Sequence, residues 1–442
     1  MNSKDSFVIS NLGTASIISP LLLSKTKGDN IFNFVDADNK VLSDLTQQGF
    51  ITCLSDKQLP ECLEKAGPRE KLFFDPKNTT AAIVTCGGLC PGINNVIRSL
   101  VMALHYFYGV NRILGIRYGY EGLTSKSEYE FMRLTPDIVK DIHLFGGTLI
   151  GSSRGTQSVS EMVNTLENNK IDILFTIGGD GTLKGANAIG EEIEKRKLNI
   201  SVAGIPKTID NDIDLIDKSF GFETAFDVAS PIVRDAHNEA TGALNGISIV
   251  KLMGRDSGFI AASTAVAMPV VNFVLVPEME FALTGENGFL EALKERLHQK
   301  QHAVIVVAEG AGQHLFEKDE SITDASGNIK HQDIGLLLKQ RIKEYFDTLN
   351  IKVTIKYIDP SYIIRSAPAN ANDSLFCNRL AYQAVHGAMA GKTKFLVGRV
   401  HNQMVYLPIA KVVGQRKKID LESEFWFGVL QSTGQPFNLG TA

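Results

Sequence analysis

"AAIVTCGGLCPGINNVIRSLVMALHYFYG" spans residues 81–109. It opens on a short apolar run closed by Thr85, which reads as a buried strand. Cys86–Gly92 then places three glycines in a seven-residue loop. Beyond the loop Ile93, Val96, Ile97, Leu100, Val101 and Leu104 recur at i, i+3, i+4, i+7, i+8 and i+11. That spacing puts all six on one face of a helix. A strand, a glycine turn and an amphipathic helix in this order make the first half of a βαβ unit, the building block of a parallel sheet.

The same alternation continues along the chain. "RILGI" (112–116) is strand-like, and "IDILFTI" (171–177) runs into "GGDGT" (178–182) and the helical "LKGANAIGEEIEKRK" (183–197). "ISVAGI" (200–205) leads to "PKTIDND" (206–212), and "ISIVKLM" (247–253) to "GRDSGFIAASTAVAM" (254–268). "NFVLV" (272–276), "AVIVVAEGAG" (303–312) and "NDSLFCNRLAYQAVHGAMAG" (372–391) complete the series. Near-continuous apolar strands separated by helices predict an α/β protein whose mostly parallel sheets are covered on both faces. Ligands in such folds bind beyond the carboxyl ends of the strands, where nearly every glycine or acidic cluster of this chain lies.

With 442 residues, the chain is long enough for two or more domains. A net charge of −4 offers no basic surface for nucleic acid. Five cysteines (Cys53, Cys62, Cys86, Cys90, Cys377) form no C-x-x-C pair, and the nine histidines show no metal-ligand spacing. "ASIISPLLLS" (15–24) contains Pro20 and follows no basic cluster, so it reads as structure rather than as a leader. No run reaches membrane-spanning length. The chain ends "LGTA", without a peroxisomal tripeptide. These features lead us to expect a soluble cytoplasmic protein with no nucleic-acid or membrane partner.

Three groups of residues carry chemistry. Gly178, Gly179, Asp180, Gly181 and Thr182 follow a strand and open a helix. Glycines there let a polyphosphate approach the backbone, and the helix N-terminus offers free N–H groups to its oxygens. Asp180 is placed to hold Mg²⁺ between phosphoryl groups, although a simple helix cap also accounts for one aspartate. Next, Thr208, Asp210, Asn211, Asp212 and Asp214 crowd a second strand end beside Lys207. A carboxylate held against a sugar hydroxyl takes its proton as the oxygen attacks phosphorus, and Asp210 is the candidate base. Finally, Arg154, Arg255 and Arg365 stand at strand or turn ends, where a guanidinium fork matches phosphate bidentately. Glu309 follows another strand and suits sugar hydroxyls. Cys86 and Cys90 lack further soft ligands and read as packing residues, as does Trp426.

"TCGGLCPGINNVIR", "GGTLIGSSRG", "GGDGT", "PKTIDND", "KLMGR", "AEG" and "DPSYIIR" occur in the order and spacing of 6-phosphofructokinases. The resemblance covers about residues 67 to 415. It is strongest to the long ATP-dependent branch whose sequences look like pyrophosphate-dependent enzymes, a branch that includes plant and trypanosomatid members. "AGPREKLFFDP" (66–76) is typical of that branch. The resemblance implies that Gly88, Arg154, Gly155, Gly179, Asp180, Gly181 and Thr182 bind the nucleotide, with Asp180 on Mg²⁺. It further implies that Thr208, Ile209 and Asp210 meet fructose 6-phosphate, Asp210 accepting the proton. Met253, Gly254 and Arg255 would line the sugar phosphate, Arg255 also stabilising the phosphoryl group in flight. Glu309 would bind sugar hydroxyls. The "YIIR" stretch, Tyr362, Ile363, Ile364 and Arg365, would hold the 6-phosphate together with Lys356.

The chain departs from the short bacterial ATP enzymes at three points. Lys207 replaces their glycine, "YIIR" replaces H-x-Q-R, and Gly246 stands where they carry an arginine that reaches the neighbouring subunit's substrate.

Gly181 bears on the donor. Pyrophosphate users typically carry aspartate at this position, where a carboxylate would face an α-phosphate. Two unit charges about 4 Å apart at an effective dielectric near 20 repel by about 4 kcal/mol, enough to disfavour ATP several-hundredfold. Glycine removes the charge and leaves room, so the loop reads as an ATP loop. Lys207 points towards pyrophosphate instead. Two alternatives stay open: a pyrophosphate-dependent enzyme, and a non-catalytic subunit that binds sugar phosphates. The second would be expected to lose Asp180, Asp210 or Arg255, all of which are present.

The expected organisation is an irregular N-terminal extension (1–78) and a nucleotide-binding domain (79–222, with a return segment 366–415). A fructose 6-phosphate-binding domain (223–365) and a C-terminal tail (416–442) complete it. The active site is expected between the two domains, and the resemblance implies a homotetramer.

Overall fold

Strands Thr80–Thr85, Ile173–Gly178 and Ser201–Pro206 are buried at every position. That is the packing their near-continuous apolar sequences require, because both faces of the sheet are covered. The computed structural model describes residues 7–55, 60–125, 127–316 and 331–440, apart from the side chains of Phe50, Cys53 and Leu54. The Cys53 thiol and the last two residues therefore lie outside the described residues. The chain forms two compact units, one through Thr208 with Ile213–Phe220 and Ala371–Arg416, the other Ile209–Asp212, Gly221–Asn370 and from Lys417 onward.

The first unit is built on a nine-stranded sheet. In spatial order its strands are Lys40–Leu42, Cys62–Lys65, Gln403–Pro408, Phe395–Val400, Ser201–Pro206, Ile173–Gly178, Thr80–Thr85, Arg112–Ile116 and Met132–Arg133. The five from Phe395–Val400 to Arg112–Ile116 pair in parallel, and the flanking strands run antiparallel. Thr80–Thr85 has its sequence successor Arg112–Ile116 on one side and Ile173–Gly178 on the other. Strand order therefore reverses between Thr80–Thr85 and Ile173–Gly178, and a crevice opens at such a switch point.

The helix after the first strand covers Ile93–Met102 and passes into a π-helical turn, Ala103–Tyr108. Gly92 caps its start at φ 98°, where a Cβ would lie 2.7 Å from Cys377 Sγ. Both the left-handed backbone and the crowding require glycine here.

The N-terminal stretch, irregular in its sequence, contributes Lys40–Leu42 and Cys62–Lys65 to the edge of the large sheet. A buried ion cluster helps tie it there. Glu64 accepts from Arg69 at 2.6 Å and from Lys392 at 2.6 Å, and both cations lie near the Tyr406 ring. Removing Glu64 would strand two buried cations, which costs about 3–5 kcal/mol.

The second unit contains a four-stranded sheet in the order Phe273–Leu275, His302–Ala308, Gly246–Leu252, Thr354–Ile358, all parallel. Helix Glu424–Thr433 belongs to this unit and buries Trp426. Among the described residues no helix is long and apolar enough to cross a membrane.

Candidate active site

In the first unit the loops after Thr80–Thr85 and Ile173–Gly178 meet at the switch point. Gly87 N–H donates to the Ser153 carbonyl (2.9 Å), and Ser152 Oγ donates back to the Gly87 carbonyl (2.7 Å). The GSSRG turn is thereby tied to the CGG loop. A Cβ on Gly88 would lie 3.0 Å from an Arg154 terminal nitrogen, so only a glycine lets that guanidinium come so close. Gly155 follows at φ 102°, a conformation that turns the chain away immediately after Arg154.

Lys207 reaches the same place from the next strand. It is buried, its ammonium donates to the Gly88 carbonyl at 2.8 Å, and its N–H donates to the Gly178 carbonyl at 3.0 Å. Gly88, Arg154, Gly179 and Lys207 thus converge on one set of strand ends.

The helix Asp180–Lys195 begins at this point with Gly179 as its cap. Asp180 is the first helical residue. Its carboxylate accepts from Gly414 N–H (3.1 Å) and pairs with Lys184 (2.8 Å). Thr182 packs back on Gly178, where a Cβ would lie 2.1 Å from its hydroxyl, and its carbonyl accepts from Tyr120 Oη at 2.7 Å. Gly181 differs from its neighbours. A Cβ there would meet nothing within 4 Å, and its backbone is not left-handed.

Among the described residues no three His, Cys, Asp or Glu side chains could share a metal ion. One hard carboxylate at a phosphate loop nevertheless suits Mg²⁺, which commonly takes one or two carboxylates and completes its shell with phosphate and water. Cys86 and Cys90 are buried, and burial pushes the Cys86 thiol up to about 12. Cys86 is therefore not a reactive thiolate.

The PKTIDND segment changes unit within itself. Lys207 and Thr208 cluster with the first, Ile209–Asp212 with the second. Thr208 is buried and its carbonyl accepts from Ser219 Oγ at 2.6 Å. Asp210 is partly buried, and Asn211 after it is held at φ 57°.

In the second unit the loops after Gly246–Leu252 and His302–Ala308 pack together. Glu309 N–H donates to the Leu252 carbonyl at 2.9 Å, and a Cβ on Gly310 would lie 1.7 Å from the Arg255 carbonyl oxygen. Gly254, at φ 122°, makes the turn between Met253 and Arg255. Burial raises the Glu309 carboxyl above its ordinary range, against the opposing pull of His331, Lys251 and Arg255. His331 pairs with Asp256 at 3.2 Å, beside Arg255.

Sequence reasoning passed over Lys251, two residues before Met253 in "KLMGR". Its ammonium bonds Asp333 (2.7 Å) and Asp359 (3.0 Å), while Tyr357 Oη donates to Asp333. Burial alone would lower the Lys251 pKa, but these partners more than reverse that and raise it. Asp359 opens "DPSYIIR", so Lys251 anchors the short helix Ser361–Arg365 to the strand that carries Met253 and Arg255. A lysine embedded in an apolar strand was the available signal. Within that helix Ile364 is buried, Tyr362 and Ile363 are exposed, and Arg365 stacks 4.4 Å from the Tyr362 ring centroid. Lys356 lies apart: it sits mid-strand, level with Ser248 rather than Leu252, and pairs with Glu239.

The family profile described as Phosphofructokinase matches residues 80–388. The chain is 50% identical over 445 residues to "ATP-dependent 6-phosphofructokinase" of Borreliella burgdorferi, covering 99% of this chain and 98% of that protein. "ATP-dependent 6-phosphofructokinase 1" of Arabidopsis thaliana is 48% identical over 376 residues, 84% of this chain and 79% of its own length. Among solved structures, a pyrophosphate-dependent phosphofructokinase from Marinobacter aquaeolei shares the fold with a TM-score of 0.66 at 20% identity, covering 82% of this chain and 92% of its own. With the profile over most of the chain and a relative of equal length at half identity, this chain belongs to the phosphofructokinase family.

Proposed function

We infer that this chain transfers the γ-phosphoryl group of ATP to the 1-hydroxyl of fructose 6-phosphate, giving fructose 1,6-bisphosphate and ADP. The full-length similarity to proteins named ATP-dependent 6-phosphofructokinase supports the reaction. The observation that carries the donor is Gly181. It stands second in a helix, faces open space and has no steric role in the fold. Aspartate there would be a better helix residue, since it suits the positive end of the helix and glycine does not. A position that forgoes this stability without any packing reason fits one that keeps charge away from a bound α-phosphate.

In this reading Gly88, Arg154, Gly155 and the first N–H groups of helix Asp180–Lys195 bind the polyphosphate, and Asp180 is the protein ligand for Mg²⁺. When bound, the metal neutralises charge on the transferring phosphates. Lys207 supplies a fixed cation beside the same loop. Asp210 accepts the proton of the 1-hydroxyl as that oxygen bonds to the γ-phosphorus and the bond to the β–γ bridging oxygen breaks. Thr208 and Ile209 meet the sugar beside Asp210, and Arg255 stabilises the charge on the phosphoryl group in flight. Glu309 accepts from sugar hydroxyls, while Tyr362 and Arg365, with the Ile363–Ile364 backbone, hold the 6-phosphate. Lys356, paired with Glu239, receives no part. Assembly as a homotetramer belongs to the same proposal and is tested by sedimentation of the purified protein.

Lys207 supports a second reading, pyrophosphate as donor, because a cation at that position can bind either transferred group. Steady-state turnover of fructose 6-phosphate with Mg²⁺ and ATP or pyrophosphate as sole donor separates the two. Turnover with ATP alone is expected; faster turnover with pyrophosphate would reverse the assignment.

A further inference from the structure

The sequence reading treats residues 416–442 as a tail. In the structure the stretch from Lys417 onward belongs to the second unit, beside the residue proposed as base. Lys417 is held there through both its backbone and its side chain. Its N–H donates to the Asp212 carbonyl (2.9 Å), and its carbonyl accepts from Ser257 Oγ (2.7 Å). Its ammonium donates to Asn211 Oδ1 (3.3 Å) and lies 5.4 Å from the centroid of the Phe259 ring. Two residues on, Ile419 N–H donates to Glu278, whose carboxylate also accepts from Gly258 N–H.

These partners belong to the two loops that the reaction must hold in register. Asn211 and Asp212 follow Asp210 directly. Ser257 and Gly258 close the turn that carries Arg255. The peptide of Lys417 bridges one loop to the other, and Glu278 fastens the segment on the Arg255 side.

The side chain of Lys417 does something more specific. Asn211 is buried and held at φ 57°. Asparagine tolerates this region because its short polar side chain can bond locally. The side-chain oxygen of Asn211 is held by the Lys417 ammonium, so the lysine fixes the left-handed turn immediately after Asp210. The direction of the Asp210 carboxylate depends on that turn. The Phe259 ring and the Asn211 oxygen both lie beside the ammonium, and each favours its present position.

We propose that Lys417 is a positioning residue for Asp210. It acts through Asn211, and the proposal rests on Asp210 being the base. Misdirecting a base by about an ångström slows chemistry by up to about a hundredfold without weakening the binding of a substrate held elsewhere. Lys417→Met keeps an unbranched side chain one atom shorter and removes the donor. It is expected to lower kcat about ten- to a hundredfold and to leave the KM for ATP within about twofold. Lys417→Arg should recover most of the loss, since a guanidinium both donates and stacks on an aromatic ring.

Asn211→Gly provides an independent variant. Glycine accepts the positive φ, so the backbone is kept while the Lys417 acceptor is removed. It should reproduce the kcat loss. A third comparison ties the effect to the base: adding Lys417→Met to Asp210→Asn should cost no further rate. Wild-type kcat in both Lys417→Met and Asn211→Gly would overturn the proposal. So would a full additional loss in the double variant, which would mean that Lys417 acts independently of Asp210. Near-normal kcat in Asp210→Asn alone would instead overturn the assignment of the base, and this proposal with it.

Discussion

The ammonium of Lys207 donates to the Gly88 carbonyl across 2.8 Å, tying a buried cation from one strand end to the glycine loop at another. A Cβ on Gly87 would lie 3.3 Å from the same nitrogen. Lys207 therefore stiffens the loop and charges it. In the proposed reaction a phosphoryl group in transfer would gain a charge-assisted hydrogen bond there, worth about 1.5–3 kcal/mol. Lys207→Met should lower kcat/KM for ATP by about ten- to a hundredfold. Steady-state kinetics with a thermal melt as control checks this, since an unfolded variant would lose its transition altogether.

Gly181 separates the needs of the fold from those of the donor. Its backbone is ordinary and a Cβ there meets nothing within 4 Å, so the fold leaves room for Gly181→Asp to branch from the helix. At the second position of a helix the new carboxylate gains about 0.3–1 kcal/mol from the helix dipole, and leaving glycine behind gains about as much again. Thermal stability should hold or rise while kcat/KM for ATP falls about several-hundredfold, the penalty expected of a carboxylate facing a bound α-phosphate. Gly181→Ala should be equally stable and lose far less activity. Equal losses in the two variants would make bulk rather than charge the cause.

Asp210→Ala should lower kcat by about a hundred- to ten-thousandfold, the usual contribution of a positioned general base. The KM for ATP should change little, because Asp210 clusters with the second unit and the ATP contacts proposed here lie in the first. Retention of near-normal kcat would remove Asp210 from the mechanism.

The legible parts of this chain were those where physics acts locally. Near-continuous apolar runs such as Ile173–Gly178 announce strands buried on both faces, and the 93–104 stripe announces its helix. Glycines with positive φ, such as Gly92 and Gly254, mark turns that no other residue makes cheaply. Lys251 and Lys417 were not legible because their meaning lies in partners far along the chain, Asp333 and Asp359 for one, Asn211 and Ser257 for the other. The N-terminal strands were hidden for the same reason. Lys40–Leu42 is too short and too exposed to carry a pattern, and it becomes a strand only because Cys62–Lys65 lies beside it. Lys356 shows the converse. Its type and neighbourhood suit a phosphate, but the register of its strand sets it level with Ser248.

A last prediction concerns stability and comes from His386. It is buried in helix Ala371–Met389, and its Nδ1 shares a 2.7 Å hydrogen bond with Tyr108 Oη. Burial, with Arg69 nearby, lowers its pKa from 6.5 to about 3. The folded protein thus holds the ring neutral, while the unfolded chain takes up a proton near pH 6.5. Between about pH 6.5 and 3 the unfolded state binds more protons, so stability from this group is full above that window and falls as pH drops through it. The slope is about 1.4 kcal/mol per pH unit. At pH 5 the loss is therefore about 2 kcal/mol relative to pH 7. His386→Gln keeps a polar partner for Tyr108 and cannot be protonated. Denaturant melts of both proteins at pH 7 and pH 5 should show wild type losing about 2 kcal/mol more than the variant on acidification. Equal losses would mean that His386 is already protonated in the folded state at pH 5, contrary to its burial.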